Sequence, residues 1–520
     1  MSQPGSYRLG VWPVGYHPNR RRKWWRLAVV VVVLVGAVPA VSLARWLPSH
    51  VACRDGWPSG EVWSQDGECV GVTEGPYAFE LDQFTRVMAV IDEQNRTVRD
   101  HGCRSDHPIV TIAVLTTFTS PHGGGRMVQE LEGFAAAQRR ANGAGCRFPV
   151  RLKVANTGRD AQAAEALARR LKDDPSVLAV VGMGLSDQRS ADAADVLGSS
   201  GLPVPMVADL ITASGFDADG SKADSPDFGT CDQGATYRDG VGHGYFYRVA
   251  HRTTKQISVL SNFLSGPPDL LITPTDERDP YTCTSLPFAR KLGNDVQEVR
   301  FDPQDSRTVA QAAEQVCRRS GGVTAFYTAR SRDLGRFLHR IVDQRHNGQC
   351  VGPSAITVVS TSDAVRMRVP EAEKELEASR MAVLESEMFR LGRLRLVYTP
   401  LADADSLKDN PEFGTLRRQF VDLGFEVAHL EGGWAVNAYD SLRTVTEAIQ
   451  TLSGDEPSRA QINAAINGIK GSNRLLGAGG PIEFDNSNNR TSDPVAVELC
   501  PGQGGGRPFS VPVASTEPCR

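Results

Sequence analysis

Asp174-Pro175-Ser176-Val177-Leu178-Ala179-Val180-Val181-Gly182, followed by Ser186, is the stretch on which the fold is read. The helical run Ala161–Leu171 precedes it, an acidic Asp-Pro turn breaks that helix, and the β-branched segment Val177–Val181 then forms a short strand ending at a glycine. Next come a helix at Ala191–Leu197 and an extended segment at Pro203–Val207. Upstream, the strand Ile109–Leu115, the turn Gly123-Gly124-Gly125, the Ala-rich helix Met127–Ala141 and the strand Val150–Ala155 repeat the rhythm. Strands alternating with helices of this length predict βαβ units and a parallel sheet.

A second series begins near Tyr245, with strands expected at Phe246–Val249, Leu270–Thr273, Val296–Phe301, Val323–Tyr327 and Ala355–Val359, and helices between them such as Val309–Arg318. Residues 217–237, rich in Asp, Gly and Ser, read as a surface loop between the series, and Ala435–Leu452 as a long late helix. The fold class is therefore α/β, with two doubly wound βαβ lobes in tandem. A chain of 520 residues exceeds a single ordinary core, which agrees with two lobes. With 40% hydrophobic and 23% charged residues the composition is globular, and 50 Gly with 31 Pro signal many turns.

Charge is unevenly placed. Residues 1–26 hold six basic side chains and no acid, which turns the chain's net −4 into −10 for the remainder. An acidic body argues against nucleic acid, whose phosphates need clustered Lys and Arg. After Arg26 comes the uncharged run Leu27–Ala44, about 27 Å long as a helix against a hydrocarbon core of ~30 Å. The positive-inside rule then assigns residues 1–26 to a cytoplasmic tail, 27–46 to a transmembrane anchor or signal segment, and the rest to the extracytoplasmic side of the cell membrane. A cleaved signal is the competing reading: Ser42-Leu43-Ala44 resembles a cleavage site, and Arg21-Arg22 could be a twin-arginine signal. Residues 47–106 read as a cysteine-containing juxtamembrane spacer, with a helix near Phe79–Thr97.

All ten cysteines follow the apolar run, an even count confined to the exported part, as disulfides require. Pairing sequence neighbours is the simplest pattern: Cys53 with Cys69, Cys103 with Cys146, Cys231 with Cys283, Cys317 with Cys350, and Cys500 with Cys519. Sequence alone leaves the connectivity open. A zinc reading of His101, Cys103 and His107 matches no standard ligand spacing, so no metal is expected.

Four pieces in order resemble the type I periplasmic binding proteins, the leucine/isoleucine/valine-binding branch that serves ABC transporters and also forms receptor ectodomains. They are the Asp174–Gly182 stretch with Ser186, Gly133 in a helix ending Ala141-Asn142-Gly143, Tyr439-Asp440 in the late helix, and Gly477 to Phe484-Asp485. The resemblance implies two hinged lobes: 107–248 plus about 380–480, and about 249–379 plus 481–520. It implies a ligand held by Ser186 and Thr212 from the first lobe and by Tyr281 and Tyr327 from the second, with Trp434 as an apolar wall. Asp209-Leu210-Ile211 departs from the family's small residues there, so Asp209 would narrow the pocket or add a carboxylate. Arg126 could hold an anion, with a solvated loop residue as the alternative. For Ser186 the alternative is a cap on the helix beginning near Asp187, and for Tyr327 and Trp434 it is core packing.

Catalytic signatures are lacking. The Gly123–Gly125 turn has no following Lys-Ser/Thr pair for a phosphate loop. His243 has no Gly-x-Ser-x-Gly partner, and Asp302, Asp305 and Asp485 fit turns and helix starts. The expected protein is an extracytoplasmic solute-binding protein without enzymatic activity or cofactor. It would capture a small polar solute, amino-acid-like or an amide, and hand it to an ABC permease; a membrane-tethered sensor signalling through a partner protein is the rival.

Overall fold

The computed structural model describes residues 53, 61–101, 107–123, 125–143, 145–220, 242–264, 266–276, 279–293, 296–502, 506–514 and 519. The chain divides into two compact units, Met1–Ser64 and Gln65–Arg520. The tail and the apolar run at 27–46 lie outside the described residues, among which no helix is long and apolar enough to cross a membrane.

The strands in chain order are β1 (Val62–Gln65), β2 (Glu68–Thr73), β3 (Val110–Thr116), β4 (Val150–Asn156), β5 (Val177–Gly182), β6 (Met206–Ala208), β7 (Phe246–Arg248), β8 (Leu270–Pro274), β9 (Gln297–Phe301), β10 (Gly321–Tyr327), β11 (Pro353–Ser360), β12 (Leu394–Tyr398), β13 (Leu475–Gly477), β14 (Gly480–Ile482), β15 (Val497–Cys500) and β16 (Phe509–Pro512). In the first lobe the order β2-β4-β3-β5-β6-β7 is parallel apart from β2, which runs antiparallel to β4. In the second, the order β16-β15-β12-β11-β10-β8-β9 is parallel from β12 to β9, and β15 and β16 are added antiparallel. β3 is buried along all seven residues, as a central parallel strand covered on both faces should be.

The chain passes between the sheets three times: after β7, after β12, and between the β13-β14 hairpin and β15. The first return comes later than the expected position near 380, because Leu394–Tyr398 pairs in register with β11 and keeps the chain in the second sheet. The third crossing is also later than 481, since Asn489 still bridges Arg248 of β7.

The spacer expectation needs correction from residue 65 onward. β2 and the helix Thr85–His101 belong to the first lobe. Buried Asn95 explains the attachment: β2 leaves β4 at Thr73, and beyond it the Asn95 amide takes over the ladder. Its Nδ2 donates to the Leu152 carbonyl at 2.9 Å, while its Oδ1 accepts the Leu152 N–H at 3.0 Å and Gln138 Nε2 at 2.8 Å. Such an edge, left bare, would expose unpaired backbone groups.

The helix Trp434–Gln450 lies on Met127–Ala141 at close range. A Cβ on Gly133 would stand 2.2 Å from the Ala435 carbonyl oxygen, so only glycine permits that crossing. Cys317–Cys350 and Cys500–Cys519 are bonded, and Cys53, Cys69, Cys146 and Cys283 are also in disulfides. Cys103 and Cys231, their expected partners in two cases, lie outside the described residues.

Candidate functional site

On the first lobe, β5 ends in three residues of positive φ: Gly182 at 90°, Met183 at 70° and Gly184 at 73°. A Cβ on Gly182 would meet the Leu115 carbonyl at 2.9 Å, so glycine both permits the turn and admits the neighbouring strand. The turn delivers Ser186, whose Oγ accepts the N–H groups of Thr212 and Ala213, each at 3.0 Å. With both lone pairs occupied, the hydroxyl proton is what Ser186 has left to offer. The helix cap is Asp187 instead: its Oδ1 accepts the Ser190 N–H at 2.8 Å. Burial pushes the Asp187 carboxyl up to about 6, against the pull of that N–H and of Arg330.

On the second lobe, Arg330 follows the carboxyl end of β10 by three residues, where open α/β sheets place ligand-facing groups. Its Nε and Nη2 donate to Asp279 Oδ1 at 2.9 and 2.8 Å, and Nη2 also donates across the lobes to the Ser186 carbonyl. The guanidinium carbon stands 5.2 Å over the centre of the Tyr281 ring. Asp279, ahead of Pro280, also caps the helix Pro280–Arg290 through the Thr282 N–H. Between the lobes opens a cleft of about 600 Å³, lined from the first lobe by Thr117, Ser120 and Asp187 among others, and from the second by Asp276, Asp279 and Arg330.

A second charged contact joins the lobes beside this cleft. Arg126, only 1% exposed, pairs with Glu371 at 3.1 Å. Arg366 grips both oxygens of the same carboxylate, at 2.7 and 2.6 Å, and donates to the His122 carbonyl at 3.1 Å. Burial pushes the Glu371 carboxyl up, but Arg366 and Arg126 outweigh it and hold the group below the usual carboxylate range.

The expected contacts sort as follows. Ser186, Thr212 and Tyr281 come together in the wall beneath Arg330, where the Tyr281 hydroxyl bonds Thr361 Oγ1. Tyr327 is fully buried in the second lobe's core, its ring 5.7 Å from that of Phe301 and 5.6 Å from that of Phe337. Alternation decides this: Val323, Ala325 and Tyr327 share one core, while Phe326 faces the other side. Trp434 is buried at the start of its helix beside Gly432, outside the cleft lining. Asp209 adds no carboxylate to the cleft; it turns inward against Glu130, whose other oxygen accepts Thr116 Oγ1 at 2.7 Å. Burial raises both carboxyls; Glu130 raises Asp209 further, while hydrogen bonds from Thr116 and Asp209 offset part of the rise at Glu130, so the pair retains a proton near neutrality. Arg126 is not a solvated loop residue: it is buried and paired with Glu371.

Arg330, Asp279 and the Glu371 cluster were not anticipated from the sequence. Position was the available signal for the first two, an arginine just past a strand's carboxyl end and an Asp-Pro helix start. Among the described residues no group of three His, Cys, Asp or Glu side chains could hold a metal.

The sequence matches the profile of the periplasmic binding protein family over residues 109–498. Among solved structures, similar folds include the branched-chain amino acid transporter substrate binding protein LivJ from Streptococcus pneumoniae in complex with isoleucine, at 15% identity and TM-score 0.54, covering 78% of this chain and 99% of that one. A Rhodopseudomonas palustris ABC-transporter solute binding protein in complex with 4-hydroxybenzoate aligns at 13% identity and TM-score 0.55, covering 78% and 97%. A leucine binding protein from Thermotoga maritima aligns at 18% and TM-score 0.52, covering 78% and 98%. No curated protein matches the sequence. With the profile spanning most of the chain and the two-lobed fold shared, the protein belongs to the periplasmic binding protein family.

Proposed function

We propose that the protein captures a small polar solute in the interlobe cleft by hinge closure and delivers it to an ABC importer, held at the cell membrane by residues 27–46 with its body outside. The observation that carries this reading is the cleft itself, about 600 Å³ between two sheets joined by three connecting segments. That volume suits a small molecule, and the charged and hydroxyl groups that line it can fix a polar one. Closure needs each lobe to move as a body about short connections, which this topology allows. Capture involves no bond-making step, and this reading asks for neither a catalytic group nor a cofactor.

The test is a thermal-shift screen of the purified full-length chain against carboxylic acids, amides, sugars, amino acids and polyamines. A true solute at about 100 times its dissociation constant should add about 2.7 kcal/mol of stability. Its effect should shrink in Ser186→Ala, which removes the hydroxyl and strips the Thr212 and Ala213 N–H groups of their acceptor. A folded protein that responds to none of these solutes would overturn the capture reading.

A further inference from the structure

The floor of the cleft is built as a complete receptor for a cation, and the chain supplies that cation itself. The Arg330 guanidinium meets the Asp279 carboxylate, the Ser186 carbonyl and the face of Tyr281, and its side chain is only 11% exposed. Burial lowers its hold on the proton, but Asp279, Asp363 and Asp187 more than restore it, so carboxylates on three separate segments answer this one charge. Ser186 and Tyr281 do not line the open cleft, whereas Arg330 does and touches both; the guanidinium therefore lies between them and the solute space.

We propose that Arg330 is a tethered cation filling the cation-binding place of the cleft, so that the cleft excludes amines and takes an uncharged or anionic solute. This rests on the cleft being the solute site. An attached group competes at an effective concentration of roughly millimolar or more, so a free amine would have to displace a partner that never diffuses away. The same side chain reaches from the second lobe to a first-lobe carbonyl, so filling the place also favours the closed arrangement. The outer carboxylates Asp160, Asp192 and Asp276 stand among the lining residues; they give polyamines a fair chance to prove the inference wrong.

The test uses the full-length chain and its Arg330→Ala variant, titrated calorimetrically with ethylguanidinium, propylamine and putrescine. Removing the side chain should leave a vacancy that ethylguanidinium fills about tenfold or more tighter than in the wild type, since the tethered competitor is gone. Asp279→Asn on the Arg330→Ala background should abolish the gain. No gain in guanidinium or ammonium binding by Arg330→Ala would overturn the inference, as would amine binding to the wild type equal to that of the variant. Should Arg330→Ala not fold, its refolding in ethylguanidinium is the predicted rescue. If that also fails, the wild-type arm decides: saturable binding of an amine or amino acid contradicts the inference, and its absence beside binding of a carboxylic acid or neutral solute supports it. The two readings fail separately. Amino-acid capture by the wild type would uphold solute binding and sink the tethered cation, whereas rescue with no solute found would keep Arg330 as the occupant of the cation place and sink the capture reading together with the solute preference drawn from it.

Discussion

Two of the arginine-centred contacts between the lobes, both beside the cleft, are built differently. In the Arg126–Glu371–Arg366 cluster all three side chains are at most 5% exposed, and one carboxylate serves two guanidinium groups. In the other, Arg330 and Asp279 border the open cleft, with side chains 11% and 30% exposed, and the cross-lobe partner is a neutral carbonyl. A buried ion cluster is costly to part, because each separated charge must be accommodated anew. A cleft-edge arginine bonded to a carbonyl can let go of the other lobe and keep its carboxylate. The first contact reads as the clamp beside the cleft and the second as the gate within it.

The largest expected effect comes from breaking the clamp. Glu371→Gln removes the one carboxylate bonded to both buried guanidinium groups, leaving them only the charges of Asp363 and Asp333, and should cost about 3 kcal/mol of unfolding free energy in urea. A loss no greater than that at the gate would erase the distinction.

Next is the pH response. Glu371 is held low in the folded state, so its contribution is present above the ordinary Glu range and is lost as pH falls through its folded pKa. The Glu130–Asp209 pair is raised, so its contribution is greatest in acid and is lost as pH rises above the ordinary carboxylate range. Thermal melts against pH should show both limbs. Asp209→Asn should flatten the alkaline limb alone, changing stability there by about 1–3 kcal/mol; an unchanged alkaline limb would place its origin elsewhere.

The smallest effect is at the gate. Asp279→Asn keeps the helix cap, since Asn caps as Asp does, and removes only the charge. The expected loss is about 1 kcal/mol, diminishing with added salt. A loss as large as that of Glu371→Gln would make the gate a second clamp.

Most of the sheet strands were legible because buried parallel strands such as Val110–Thr116 and Val177–Gly182 are short apolar runs between helices. β2 escaped because its residues Glu68–Thr73 mix buried and half-buried positions without regular alternation, with a Cys and a Gly, and read like the linker around them. The place of Ser186, four residues past the strand-ending Gly182, came from the family resemblance. Tyr327 was misassigned because a strand-end aromatic has the same sequence signature on either face, and only pairing with β8 and β11 fixes which face is core. Asp209 failed for a related reason: the backbone turn after Ala208 points its carboxyl at a helix residue 79 positions earlier, a neighbour that no local pattern supplies. Arg330 was one arginine among many until the strand ends were set against each other.

The most direct test of lobe closure is a distance measurement across the cleft, by spin labels at the exposed positions Leu202 in the first lobe and Val351 in the second, in the full-length chain and in Arg330→Ala. The account predicts one short distance in the wild type without solute, and an added longer population in Arg330→Ala that ethylguanidinium returns to the short one. The same single distance in both proteins, unmoved by the ion, would contradict it.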